Sequence, residues 1–166
     1  MLKAIDVAKY FLDKDPERQV FNRNRLDRNG RTFYEGNAMI NKYLHLSQVL
    51  HVARFGEPLI SDVFYAYVNG AVVEEVQQKF NSVLYNPAVY GVSFDEQTND
   101  FLDRVHYMLA GTSVDDLIEL SHEDDEWVDK SRNPKKLDQQ MDFMLHADIY
   151  KEQYADGLRL MYKATL

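Results

Sequence analysis

From Met39 to Phe55 apolar residues fall on every side of a helical wheel. Met39, Tyr43, Leu46, Leu50 and Ala53 share one face, and Ile40, Leu44, Val49, Val52 and Phe55 fill the rest. A helix apolar almost all round is buried inside a domain rather than laid on its surface. The run is only 17 residues long and is broken by Asn41, Lys42, His45, Gln48, His51 and Arg54, which excludes a membrane span. The pattern predicts a central helix with other helices packed round it. Asn37 is its expected N-cap and Gly56 its C-terminal stop, with Pro58 just beyond.

Other segments follow weaker patterns. Leu2, Ile5, Ala8, Phe11 and Leu12 predict a short amphipathic helix that ends at Asp13–Pro16. Between 17 and 36, Asn29-Gly30 stands between Val20-Phe21 and Thr32-Phe33-Tyr34. That predicts a small β-hairpin near 20–34 with a two-residue turn, because both turn residues must tolerate positive φ. Val63–Val68 is an extended or helical apolar run, which periodicity does not separate at this length. Asn69-Gly70 breaks it, and helical spacing resumes from Ala71 to Phe80, followed by a loop over 81–92.

Ser93 and Glu96 have capping-box spacing before the stripe Phe101, Leu102, Val105, Met108 and Leu109, which Gly111 ends. Ser113 and Asp116 form a second such pair, opening a short helix with Val114, Leu117, Ile118 and Leu120. Ser121 is the expected cap of a further turn, with Asp124 three residues on. Asn133-Pro134 is read as the start of a final helix over 134–163, weakened at Gly157. The expected fold is mainly α: one domain over residues 1–166, a helical bundle around the buried helix 39–55, with the hairpin inserted at 17–36.

Charge changes the picture in two places. The chain has 19 basic and 27 acidic side chains, a net charge of −8, but they are segregated. Residues 14–31 carry six bases and three acids, whereas 115–129 carry eight acids and no Lys or Arg. Such asymmetry can steer partners. Arg23, Arg25, Arg28 and Arg31 beside Phe21, Phe33 and Tyr34 suit single-stranded nucleic acid. The plainer alternative is a solvated insertion whose arginines pair with the acidic segment. There is no cysteine, which excludes disulfides and thiolate sites and fits a reducing cytoplasm. The first fifteen residues do not read as a signal peptide, because acids interrupt their apolar pattern.

Candidate chemistry is sparse. No glycine-rich phosphate loop and no His-Glu-x-x-His occurs. The five histidines sit on four predicted segments. An acidic run beside His122 (Glu123, Asp124, Asp125) could hold a cation, but hydrated acids are the commoner case, so neither a metal nor a cofactor is assigned. Trp127 is either a core plug whose indole N–H needs a partner or a half-exposed interface residue. No catalytic residue is assigned.

Three stretches then carry a family resemblance. Leu44–Leu59 (LHLSQVLHVARFGEPL), Phe64–Val73 (FYAYVNGAVV) and Phe101–Trp127, closing on Leu120-Ser121-His122 and a tryptophan five residues later, resemble the Panacea domain, the SocA-like antitoxin domain found near phage and mobile elements in bacteria. Ala71 stands where that pattern usually has proline, and Glu126 where proline often precedes the tryptophan. The resemblance implies a mainly helical, non-enzymatic domain that neutralises a cognate toxin by direct binding; one member of the family is an adaptor that delivers its toxin to a Clp protease. It implies a partner-binding surface around Asn69 and Gly70 and the segment His122, Glu123, Asp124, Asp125 and Trp127, the two expected to lie close together. In that expectation His122 and Trp127 fix the segment while the three acids face a basic toxin surface. The alternatives are delivery to a Clp protease, or nucleic-acid binding through the arginine-rich hairpin. No membrane partner is expected.

Overall fold

The computed structural model describes residues 1–22, 25–26, 29–30, 32–33, 35–84, 86, 89–132 and 139–166, the side chains of 25, 26, 32, 33, 81 and 83 excepted. Its elements run α1 (Ala4–Leu12), β1 (Arg25–Leu26), β2 (Thr32–Phe33), α2 (Glu35–Phe55), β3 (Tyr65–Tyr67), β4 (Gly70–Val72), α3 (Glu74–Lys79), α4 (Glu96–Leu109), α5 (Val114–Ser121), α6 (Asp125–Ser131), β5 (Gln139–Gln140), α7 (Ala147–Gln153) and α8 (Ala155–Lys163). The fold is mainly α, as the hydrophobic pattern predicts. Among the described residues no helix is long and apolar enough to cross a membrane.

Helix α2 is the axis. All the large apolar residues from Met39 to Val52 are buried on it, and α1, α3, α4, α5, α7 and α8 pack against it. It begins at Glu35, so Asn37 lies inside the helix and is not its cap. The Asn37 amide turns inward and donates to the Gln77 carbonyl at 2.9 Å. Gly36 permits this early start, because a Cβ there would collide with the backbone of Phe21 and Asn22 and with the Phe80 ring. At the other end Gly56 has φ +75 and donates to the Val52 carbonyl, the left-handed stop expected of it.

The hairpin forms with a different register. Arg25 pairs with Phe33 and Leu26 with Thr32, so five residues separate the paired ends, not the two of an Asn29-Gly30 turn. Phe21 is buried and packs edge-on against Tyr43, so it cannot stack on a nucleobase. Arg18, counted with the basic stretch, is also internal: its guanidinium donates to the carbonyls of Leu12, Asp15, Leu84 and Asn86. Arg23, Arg28 and Arg31 lie outside the described residues, as does the Arg25 side chain.

The apolar run at 63–68 resolves as a strand. β3 pairs antiparallel with β4 on one side and with β5 on the other. Consequently Ala71 does not open a helix; residues 70–72 are a buried strand and α3 starts at Glu74. A π-helical turn, Phe80–Leu84, then extends into the segment predicted as loop.

Two caps differ from expectation. The cap of α4 is Asp95, whose carboxylate accepts the Thr98 N–H at 2.8 Å, while Ser93 accepts from the Asn99 amide. Ser121 is the last residue of α5, with its hydroxyl donating to Ile118, and Asp124 caps α6 by accepting the Glu126 N–H. Ser113 caps α5 as predicted, accepting the Asp116 N–H at 3.1 Å.

The final helix is not continuous over 134–163. Asn133 and Pro134 fall outside the described residues. After β5 the chain takes a 3-10 turn at Phe143–His146, then α7, a bend at Tyr154, and α8. Asp142 sets the 3-10 turn by accepting the Met144 N–H.

Candidate functional site

Four polar residues of α2 that interrupt its apolar pattern, Asn37, Asn41, His45 and Gln48, are all buried. Their spacing of four, four and three residues puts them on one helical face. Each clamps a different segment. Asn37 holds the end of α3 through Gln77; Asn41 accepts the Val73 N–H at 3.0 Å, just after β4. Gln48 accepts the N–H groups of Leu59 and Ile60 and donates to the Ile60 carbonyl, which fixes the turn after α2. His45 reaches α6: its Nε2 lies 2.6 Å from Asp124 Oδ2, with the two side chains 0% and 1% exposed.

Asp124 is the hub of that contact. Its Oδ1 accepts the Tyr150 hydroxyl at 2.5 Å and the Glu126 N–H at 3.0 Å. Burial by itself would raise its pKa. The bonds from His45, Tyr150 and the Glu126 amide outweigh that and hold the carboxyl below its ordinary value. The Tyr150 hydroxyl is driven strongly upward by burial and by the Asp124 charge, so it stays a neutral donor. Asp124 is therefore an internal tie between α2, α6 and α7, and it does not reach the surface where a toxin-facing acid was expected.

Glu126 ties the next layer. It is 0% exposed, and its carboxylate meets Lys130 at 3.1 Å, His146 at 3.2 Å and the Asp142 N–H. With Asp129 it forms a group of ligand-type side chains around His146. The Lys130 ammonium already lies against this carboxylate, so the arrangement is an ion-pair network that pins the 139–146 segment to α6. The departure from proline at this position thus has a structural role: a buried acid that holds the C-terminal segment.

The predicted juxtaposition of the Gly70 turn with the segment after α5 is present. His122 Nε2 donates to the Val68 carbonyl at 3.1 Å, and Trp127 Nε1 donates to the Tyr67 carbonyl at 2.8 Å. The two rings stack with centroids 4.0 Å apart and planes 9° from parallel. Partial burial chiefly, with Lys42 and His45 nearby, lowers the His122 pKa against the pull of the Val68 carbonyl, which favours a neutral stacked ring. Trp127 is thus half-buried, with its polar edge satisfied at the β3–β4 turn. Asn69 is exposed at the tip and Asp125 is half-buried, whereas Glu123 points to another flank, beside Leu120.

Sequence reasoning missed Lys42. It is 1% exposed and, among the described residues, makes one hydrogen bond, to the Ala71 carbonyl at 3.4 Å. Burial alone lowers its pKa from 10.5 to about 7. Its tip fills the space under Gly70, where a Cβ would stand 2.8 Å from Lys42 Cε and 2.5 Å from Ser121 Oγ, at φ +114. Gly70→Ala is accordingly expected to destabilise the fold by about 2 kcal/mol or more, combining left-handed strain with overpacking. Urea denaturation checks this, and a loss below about 0.5 kcal/mol contradicts it. The available signal for Lys42 was its place in a helix that is apolar all round: a charge there must be buried or must break the helix.

The geometry defines a class before any comparison: a helical scaffold with a small sheet whose buried polar groups lock segments to one axial helix. The family model described as antitoxin SocA-like, Panacea domain, matches residues 40–128, over half of the 166, and the chain belongs to that family. Comparison with curated proteins and with solved structures finds no match. The matched region runs from α2 through α6 and contains Lys42, His45, Gly70, His122, Asp124 and Trp127. Tyr150 and His146, which tie α7 and the 3-10 turn to it, lie beyond.

Proposed function

We propose that this protein is an antitoxin that neutralises a cognate toxin by direct protein–protein binding, with no catalytic role of its own. The observation that carries this reading is the family match over residues 40–128, most of the helical core. The arrangement of the buried polar groups agrees with it. His45, Asp124, Glu126 and Gln48 are each engaged with backbone or with one another inside the core, an arrangement that serves rigidity. The proposed contact surface includes Asn69 at the tip of the β3–β4 turn, the His122–Trp127 stack behind it and the half-buried Asp125.

The test is co-expression with the product of the adjacent reading frame. Cells carrying that gene alone should stop growing, growth should return when this chain is co-expressed, and the two proteins should co-purify. Growth arrest that persists despite soluble expression of this chain overturns the proposal. The half-life of the toxin in the presence and absence of a Clp protease separates occlusion from delivery: a half-life unchanged by Clp supports neutralisation by binding alone.

A further inference from the structure

A groove of about 250 Å³ opens between α2, α4, α5 and the α7–α8 bend. Its lining is mostly apolar and includes Leu50, Met108, Leu109, Leu120, Tyr154 and Gly157. Met108 is 36% and Leu120 38% exposed, so two large apolar side chains of the rim face water together. Gly157 lies inside α8 with an ordinary helical φ, and an added Cβ would meet nothing within 4 Å. The glycine is thus not needed for the helix or for close packing within the chain, and the space it leaves belongs to the groove. Tyr154 carries a buried hydroxyl with no hydrogen-bond partner among the described residues. An apolar cavity of roughly 150 Å³ accepts a benzene ring, so this groove has room for large apolar side chains from outside.

The rim fixes the sign of the occupant. Asp116 of α5 lies one turn before Leu120, and Glu123, just past the end of α5, follows three residues after it; both are exposed. No Lys or Arg occurs between 115 and 129. Asp124 and Glu126 of this segment are buried in internal ties, so the field on this flank comes from acids that do not serve those ties. An apolar groove with one acidic wall is complementary to an amphipathic helix whose polar face is basic.

We propose that this groove is the docking site for a basic amphipathic helix of the protein's partner, with large apolar side chains seated between Leu120 and Gly157 and Lys or Arg side chains along the α5 rim. This rests on the reading of the protein as a toxin-binding antitoxin and adds a second contact on another flank to the one at the His122–Trp127 turn.

The test uses the full chain and two kinds of variant. Gly157→Leu fills the groove from within a helix, and an Asp116→Lys/Glu123→Lys pair reverses the rim on exposed positions. In the first arm, co-purification with the adjacent-gene product is compared with wild type. Binding weakened at least about tenfold by both variants, with melting temperatures no lower than wild type, supports the groove. Undiminished binding by both variants overturns the groove and leaves the antitoxin reading standing. In the second arm the probes are an 18-residue leucine–lysine amphipathic peptide and its leucine–glutamate counterpart. Salt-sensitive binding of the lysine peptide alone, lost in Gly157→Leu, supports the groove even if the adjacent-gene product never binds, a result that would sink the antitoxin reading separately. Equal binding of both peptides, or of neither, overturns it.

Discussion

Asp124→Ala is expected to lower stability by about 3–5 kcal/mol, the range for removing one partner of a buried charged network. The loss has a definite source. Three donors, on His45, Tyr150 and the Glu126 backbone, are left facing a void in an interior they cannot leave. Three elements are tied through that one carboxylate, so the effect spreads from α6 to α2 and α7. Against a typical total of about 5–15 kcal/mol, much of the protein should be unfolded or aggregated at 37 °C. Asp124→Asn should cost less, since the amide oxygen still accepts on one side, but its NH2 group must then oppose a donor on the other. Urea midpoints of the three proteins check the order wild type, Asn, Ala. A change under about 1 kcal/mol for Ala would show that the network is not the tie it looks to be.

The acid limb gives a second readout of the same group. Asp124 has a folded pKa depressed below its ordinary value. Its contribution is therefore present above the unfolded pKa, near 4, and is lost as pH falls through the folded value. Wild type should lose stability faster than Asp124→Ala on acidification below about pH 4.

Lys42→Met is expected to act in the opposite direction, raising stability at neutral pH by roughly 3–5 kcal/mol. Burial alone depresses the folded pKa from 10.5 to about 7. Above the unfolded value both states are neutral and there is no penalty. Between about 7 and 10.5 the unfolded chain holds a proton that the folded chain has released, so wild-type stability climbs as pH rises through this window. Below about 7 the folded chain must keep the ammonium charged in the core, and the whole penalty is present. Methionine has a similar unbranched shape and needs no proton. The gain from Lys42→Met should therefore be largest at or below neutral pH and shrink towards pH 10. Melting temperatures of both proteins across that range check this; a constant difference, or a destabilised Lys42→Met, contradicts it. A stabilised variant that binds its partner less well would make Lys42 a residue retained for function at a cost in stability.

Gly157→Ala adds a smaller test in the same assay. With nothing within 4 Å of the new methyl group, the alanine should raise helix stability by roughly 1 kcal/mol, a few degrees in melting temperature. A fall in melting temperature would show that the groove wall is part of the core.

The chain's own pattern determined a good deal. The all-round apolar run at 39–55 required a buried axial helix, and the glycine at 56 its end, because no other arrangement takes that much apolar surface from water. The short N-terminal stripe, the helices at 96–109 and 114–121, and the existence of a hairpin around Asn29-Gly30 were legible for the same reason: each is set by contacts a few residues apart. The order of the motifs in 40–128 also carried the family.

Tertiary structure alone decided the rest. Local spacing made Ala71 the start of a helix; pairing of β4 with β3, and Asn41 taking the next free N–H, made residues 70–72 a strand instead. The C-terminal stripe reads as one helix, yet β5 joins the sheet edge and Glu126 holds the segment after it, from over ten residues upstream. Asp124 was one of four consecutive acids with nothing local to mark it as buried; only the arrival of His45 and Tyr150 makes it internal while Glu123 stays in water. A sequence shows which side chains are polar, but whether a polar group is hydrated or clamped depends on partners 26 and 79 residues away, and only the folded chain brings those together.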